Sequence, residues 1–169
     1  MTTILPTVTQ PVQTTPVESC KATLFKIADH WFALPTTAIL KVFPSSILNG
    51  QPKSDLLIWD NRPLVQLNLH KILARKSIGH SSGQDAAFLK DQPYTMLVWS
   101  QTGERCSIPV EELPVIQNLA LSDAQVLPPH YRQSIYNIAK YMVIHPYKGT
   151  AANVLLLDLQ QALNKLSTL

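Results

Sequence analysis

Five histidines, two cysteines and eleven acidic residues carry whatever acid–base, nucleophilic or metal chemistry this chain can perform. Zinc needs several His, Cys or carboxylate ligands in a tight set. His30, His70, His80, His130 and His145 make no short spacing with one another or with a cysteine. The nearest approach to a ligand pair is Cys106 with Glu111, so the histidines read as turn and surface residues. A nucleophilic thiol needs a positioned base and a lowered pKa. Cys106 instead lies in an apolar run beside Glu104 and Arg105 and reads as a small core residue. A phosphate loop ends in Lys-Ser or Lys-Thr and opens a helix; Ser81-Ser82-Gly83 does neither. No acid, base and nucleophile converge, so neither catalysis, nor a metal, nor a cofactor is expected.

Composition narrows the class. Hydrophobic residues make up 46% of the 169 residues and charged ones only 15%, against about 25% in ordinary soluble domains. Such a chain buries its sheets on both faces or keeps an apolar face for a partner. Its length allows one domain, or two small subdomains sharing a core, without metal or disulfide support. Cys20 and Cys106 are too few for a disulfide framework, which points to a reduced, cytoplasmic protein. The amino terminus has no signal-peptide pattern, and no apolar run approaches a membrane span, so direct membrane insertion is not expected. The net charge of +3 is scattered. Its densest cluster, Lys71, Arg75 and Lys76, reads as a solvated helix end rather than a nucleic-acid patch.

The elements that must position any functional side chain come twice. Phe32-Ala33-Leu34-Pro35 is echoed by Cys106-Ser107-Ile108-Pro109, each after an apolar run and a polar turn. Leu67-Asn68-Leu69 with Leu73 is echoed by Leu157-Asp158-Leu159 with Leu163. The first half reads as a hairpin turning at Asp29-His30 and stopped by Pro35, then a strand from Ile39 to Phe43. A second hairpin follows, turning at Asp60-Asn61, with Val65, Leu67 and Leu69 on one face. Helical turns follow from Leu69 to Ala74. The second half repeats the order: strands at Tyr94–Trp99 and Arg105–Ile108, a stop at Pro109 and a strand at Val115–Leu119. A hairpin from Ile135–Ile144 to Ala152–Asp158 comes next. A helix closes the chain with Leu159, Leu163 and Leu166 on one stripe. Residues 1–19 read as a disordered tail, 20–166 as the domain, 75–93 as a linker between halves 20–74 and 94–166. Many short strands in a doubled order predict an all-β fold of two small five-stranded barrels with short helices.

These segments resemble the CheW-like family of chemotaxis adaptors. The resemblance rests on Phe32-Ala33-Leu34-Pro35, the hairpin Leu57 to Leu69, the hairpin Tyr94 to Val110, Pro128-Pro129 with Ile135 to Ala139, and the close Val154 to Leu159. It spans about Cys20 to Leu166. It implies two five-stranded β-barrels around a shared core and no catalytic activity. It also implies an adaptor that joins methyl-accepting chemoreceptor tips to the regulatory domain of a CheA-type histidine kinase. The family often carries Asn-Leu-Arg-Gly in the second hairpin turn, whose arginine helps contact the receptor. Here the stretch reads Trp59-Asp60-Asn61-Arg62, with Asp60 near the arginine's place and Arg62 two positions later. This tryptophan-bearing form is similar to CheW-like proteins of pilus-driven phototaxis.

The expected partner-binding residues are therefore Ile39, Val42, Trp59, Asp60, Asn61 and Arg62. The first two and Trp59 alternate along strands and suit docking onto a homologous barrel. The other three form the turn that the resemblance places at the receptor groove. A small-barrel nucleic-acid-binding protein is the alternative, but aromatics are only 7% and the basic residues do not line a groove.

Overall fold

Short turns set the strand boundaries. The computed structural model describes residues 18–48, 56–74 and 92–167. Strands β1 (Ser19–Ile27) and β2 (His30–Pro35) pair antiparallel, with Ile27 opposite His30. The turn is thus Ala28-Asp29, one residue earlier than expected, and Ala28 takes a φ of 51°. Pro35 ends β2, a 3-10 turn spans Thr36–Ala38, and β3 (Ile39–Pro44) follows. β4 (Leu56–Trp59) and β5 (Arg62–Gln66) form the second hairpin. Asp60 and Asn61 between them have φ of 52° and 57°, the paired left-handed residues of a type I′ turn. α1 (Leu69–Ala74) closes the first half.

The second half runs through β6 (Tyr94–Trp99), β7 (Arg105–Val110) and β8 (Val115–Ala120). After β9 (Gln125–Val126) and α2 (Pro129–Ser134) come β10 (Ala139–Tyr147), β11 (Thr150–Leu157) and α3 (Leu159–Ser167). Several expected boundaries move, among them the last hairpin, whose strands reach Tyr147 and start again at Thr150. β7 continues through Pro109 to Val110. Pro109 lies past Cys106 and Ser107, the residues that pair with β5, so its missing N–H breaks no bond on that side. β10 begins at Ala139 rather than Ile135. Ile135 to Ile138 instead close α2, with Tyr136 and Asn137 at φ of 55° and 58° and the Asn137 N–H donating to the Arg132 carbonyl at 2.7 Å.

Residues 1–17 of the expected tail and 75–91 of the expected linker lie outside the described residues. Ser19 already belongs to β1, and Gln92 and Pro93 are both held. The Gln92 amide donates to His70 Nδ1 at 2.8 Å, and the Pro93 carbonyl accepts from Ser45 N–H at 2.8 Å.

The strands assemble into a six-stranded sheet, β8-β1-β2-β11-β10-β9, and a five-stranded sheet, β3-β6-β7-β5-β4. Exchanging β1 to β5 for β6, β7, β8, β10 and β11 maps one order onto the other, with the two-residue β9 added. The duplication is therefore a topological two-fold. Residues 20–74 and 94–166 do not each make a sheet, because the opening hairpin of each half lies in the other half's sheet, β6–β7 between β3 and β5 and β1–β2 between β8 and β11. β3 pairs with β6, and β8 with β1. The joins β2–β11 and β5–β7 are parallel, each linking strands of different halves.

Strand alternation then sorts the apolar side chains into three layers. Phe25, Ile27, Phe32 and Leu34 of one sheet meet Met96, Val98, Cys106, Ile108 and Val110 of the other in a shared core. Ala22, Leu24, Ala33, Leu119 and Val154 fill the inside of the six-stranded sheet. Phe43, Leu57, Leu64 and Leu97 fill the inside of the five-stranded one. Both helices of the repeat are capped at the same motif position. Asn68 Oδ1 accepts from Lys71 N–H, and Asp158 Oδ1 accepts from Gln161 N–H, each at 3.0 Å.

Candidate docking face on the five-stranded sheet

The site begins at a bulge. Between Ile39 and Lys41 the β3–β6 register slips by one residue, which throws Leu40 outward, 43% exposed. Ile39 and Val42 lie half-buried against the shared core. Their inward sides serve packing, the role that alternation left open beside docking. Beyond the bulge, Lys41 and Phe43 stand opposite Leu97 and Thr95 and share the inner face of the sheet.

Trp59 meets that inner face from β4. Its ring stacks on Phe43 at 4.5 Å between centroids and 8° between planes. Lys41 Nζ sits 5.6 Å from the Trp59 ring centroid, a cation–π contact. Arg62 pairs with Trp59 across the hairpin, so the two share a face. The outcome is a plugged barrel mouth: an aromatic lid flanked by the cations Lys41 and Arg62, with exposed Asp60 and Asn61 at the tip.

The hairpin's other face is apolar and open. Ile58, 61% exposed, pairs with exposed Pro63. Val65 stands opposite Cys106 and shares its face, but at the rim of the shared core it is 37% exposed. Val65 and Leu67 do point the same way, as alternation predicts. Only Leu67 reaches the interior, where its N–H also donates to the Ser107 carbonyl at 2.8 Å. Sequence reasoning missed Leu40, Ile58 and Val65. The available signal for Ile58 was its place between Leu57 and Trp59, since strand alternation puts it on the face opposite theirs. A face of this kind, an apolar patch beside a cationic rim, can dock an apolar surface that carries acidic groups.

The groups that drew attention as chemistry do not converge here. Cys106 is fully buried in the shared core, and burial, with a smaller contribution from Glu104, pushes its pKa up to about 12. A thiol so held is a packing group, not a nucleophile. His70 is buried at the start of α1 and donates from Nε2 to Glu111, which also accepts from Ala28 N–H at 2.7 Å. That tautomer follows from the bonding pattern around the ring. The network ties α1, the β1–β2 turn, the end of β7 and Gln92 together. No group of three His, Cys, Asp or Glu able to hold a metal occurs among the described residues.

The two exchanged sheets and the shared core between them find a counterpart among solved structures. The crystal structure of the scaffolding protein TtCheW from Thermoanaerobacter tengcongensis superposes with a TM-score of 0.55. It covers 84% of this chain and 92% of its own at 12% identity. The fold is CheW-like. No family model matches the sequence, and no curated protein matches it. The likeness is one of topology rather than of residue identity. No described helix is long and apolar enough to cross a membrane.

Proposed function

We propose that this chain is a non-catalytic adaptor of the cytoplasm that couples methyl-accepting chemoreceptor tips to a CheA-type histidine kinase, in chemotaxis or in pilus-driven phototaxis. The observation that carries the reading is the β4–β5 hairpin: Ile58 and Val65 exposed on one face, with Trp59, Arg62 and Lys41 at the rim. In this reading the hairpin is the docking element for another small β-barrel. A central aliphatic anchor supplies the energy and the charged rim sets orientation. Asp60, Asn61 and Arg62 stand at its tip for the receptor contact. The adaptor's effect on the kinase arises through different affinities for two states of the kinase or receptor.

Titration calorimetry of the full chain against the regulatory domain of the CheA-type kinase of the same genome tests this. One-to-one binding at micromolar or tighter affinity, weakened at least tenfold by Ile58→Glu, is the expected result. No heat of binding with both proteins folded overturns the kinase partnership.

A further inference from the structure

The β4–β5 hairpin is tied to the molecule differently from its counterpart in the exchanged order, the β10–β11 hairpin. β10 and β11 pair along most of their length, and β11 lies against β2 from Val154 to Leu156. Ala139, Leu155 and Leu157 carry that hairpin into the shared core, and Val154 carries it into the layer inside its own sheet. The β4–β5 hairpin instead sends Leu57 and Leu64 into the small cluster with Phe43 and Leu97. None of residues 57–66 is buried in the shared core. Its backbone attachment is also short. Among the described residues β5 pairs with β7 at Val65 and Gln66 alone, and β4 ends the sheet. Across the barrel β4 is held by side chains: Trp59 lies flat on Phe43 of β3, with Lys41 Nζ 5.6 Å from the Trp59 ring centroid.

Local unfolding takes units that share few buried contacts with the rest and leaves the remaining fold intact. Here the seam runs between Gln66 and Leu67. Leu67 is fully buried in the shared core, and its N–H donates to the Ser107 carbonyl at 2.8 Å. Asn68, next to it, caps α1. On the other side of the seam, once Trp59 leaves Phe43, Leu57 and Leu64 are the buried side chains that still hold the hairpin. A two-stranded hairpin released from its sheet is marginal in water, so release also unzips β4 from β5.

We infer that Trp59, Phe43 and Lys41 form a latch, and that the β4–β5 hairpin opens as a unit about Gln66–Leu67 while the shared core and the six-stranded sheet stay folded. The latch belongs to this chain alone and does not depend on the adaptor reading. One consequence does rest on that reading: only the latched state presents the Ile58 face and the Trp59–Arg62 rim together, so partner affinity falls with the latched fraction.

Amide hydrogen exchange of the full chain, in a series of sub-denaturing urea concentrations, reads the opening without any partner. Amides of β4 and β5 should exchange at least a hundredfold faster than those joining β6 to β7. Their urea dependence should be weaker, because releasing one hairpin exposes less surface than unfolding the chain. Phe43→Leu weakens the latch and should speed β4–β5 exchange at least tenfold. Ile138→Val, in the shared core, destabilises the latched and open states alike. It should therefore speed β6–β7 exchange several-fold and leave β4–β5 exchange unchanged. Exchange of β4 and β5 at the rate and urea dependence of β6 and β7 overturns the inference. So does their acceleration by Ile138→Val in step with β6 and β7. Rapid β4–β5 exchange that Phe43→Leu leaves unchanged makes the hairpin a frayed edge and overturns the latch. Should Phe43→Leu fail to fold, Trp59→Phe takes its place with the same expected acceleration.

Discussion

Phe43 and Trp59 lie face to face, 4.5 Å apart, although they come from the two edge strands of the five-stranded sheet, β3 and β4. No ladder joins those edges, so side-chain stacking closes the barrel where hydrogen bonds do not. Trp59 is therefore a structural residue as well as a rim residue. Trp59→Ala should cost about 2 kcal/mol, below the full cost of a buried tryptophan because Trp59 is half-exposed. Urea unfolding measures it. An unchanged midpoint would mean that the Phe43 contact contributes nothing to closing the sheet.

Ile58 gives the contrasting outcome. Its side chain is exposed, so Ile58→Glu should shift stability by less than about 0.5 kcal/mol while weakening the kinase domain at least tenfold. Arg62→Glu should weaken binding less, with the loss shrinking as salt rises, because an exposed charge is screened. Calorimetry at two ionic strengths separates the two. Loss of stability in Ile58→Glu would show that this face packs against the chain itself.

Glu111 accepts from both the His70 ring and the Ala28 amide. Glu111→Ala leaves the buried His70 Nε2 without its acceptor, which should cost about 1–3 kcal/mol. Glu111→Gln restores an acceptor oxygen and should recover part of that loss. Denaturant midpoints of the three proteins read it directly, and equal midpoints would remove the network from the stability of the fold.

Cys106 ties stability to alkaline pH. Its folded pKa of about 12 lies above the unfolded value near 9. Below pH 9 the thiol is protonated in both states and contributes no slope. Between pH 9 and 12 the unfolded chain releases the proton first. Stability should then fall with rising pH, by up to about 1.4 kcal/mol per unit. Cys106→Ala should flatten that slope. Under native conditions at pH 8 a thiol reagent should modify only half-exposed Cys20 and reach Cys106 on unfolding.

The sequence by itself determined the local units. Alternation placed Phe32, Leu34, Cys106 and Ile108 on buried faces. Asp60-Asn61 fixed a type I′ turn, and the Leu-Asn-Leu and Leu-Asp-Leu motifs marked two helix starts. All of these depend on neighbours within a few residues, where period and backbone preference act. Tertiary structure alone decided the exchange of the opening hairpins β1–β2 and β6–β7 between the halves, since a duplicated sequence is equally compatible with pairing inside each half. It also decided the bulge that turns Leu40 out, the stacking that draws Trp59 in and the rim position that leaves Val65 exposed. Each is set by where a distant strand stops or a core ends, a boundary that no local pattern encodes.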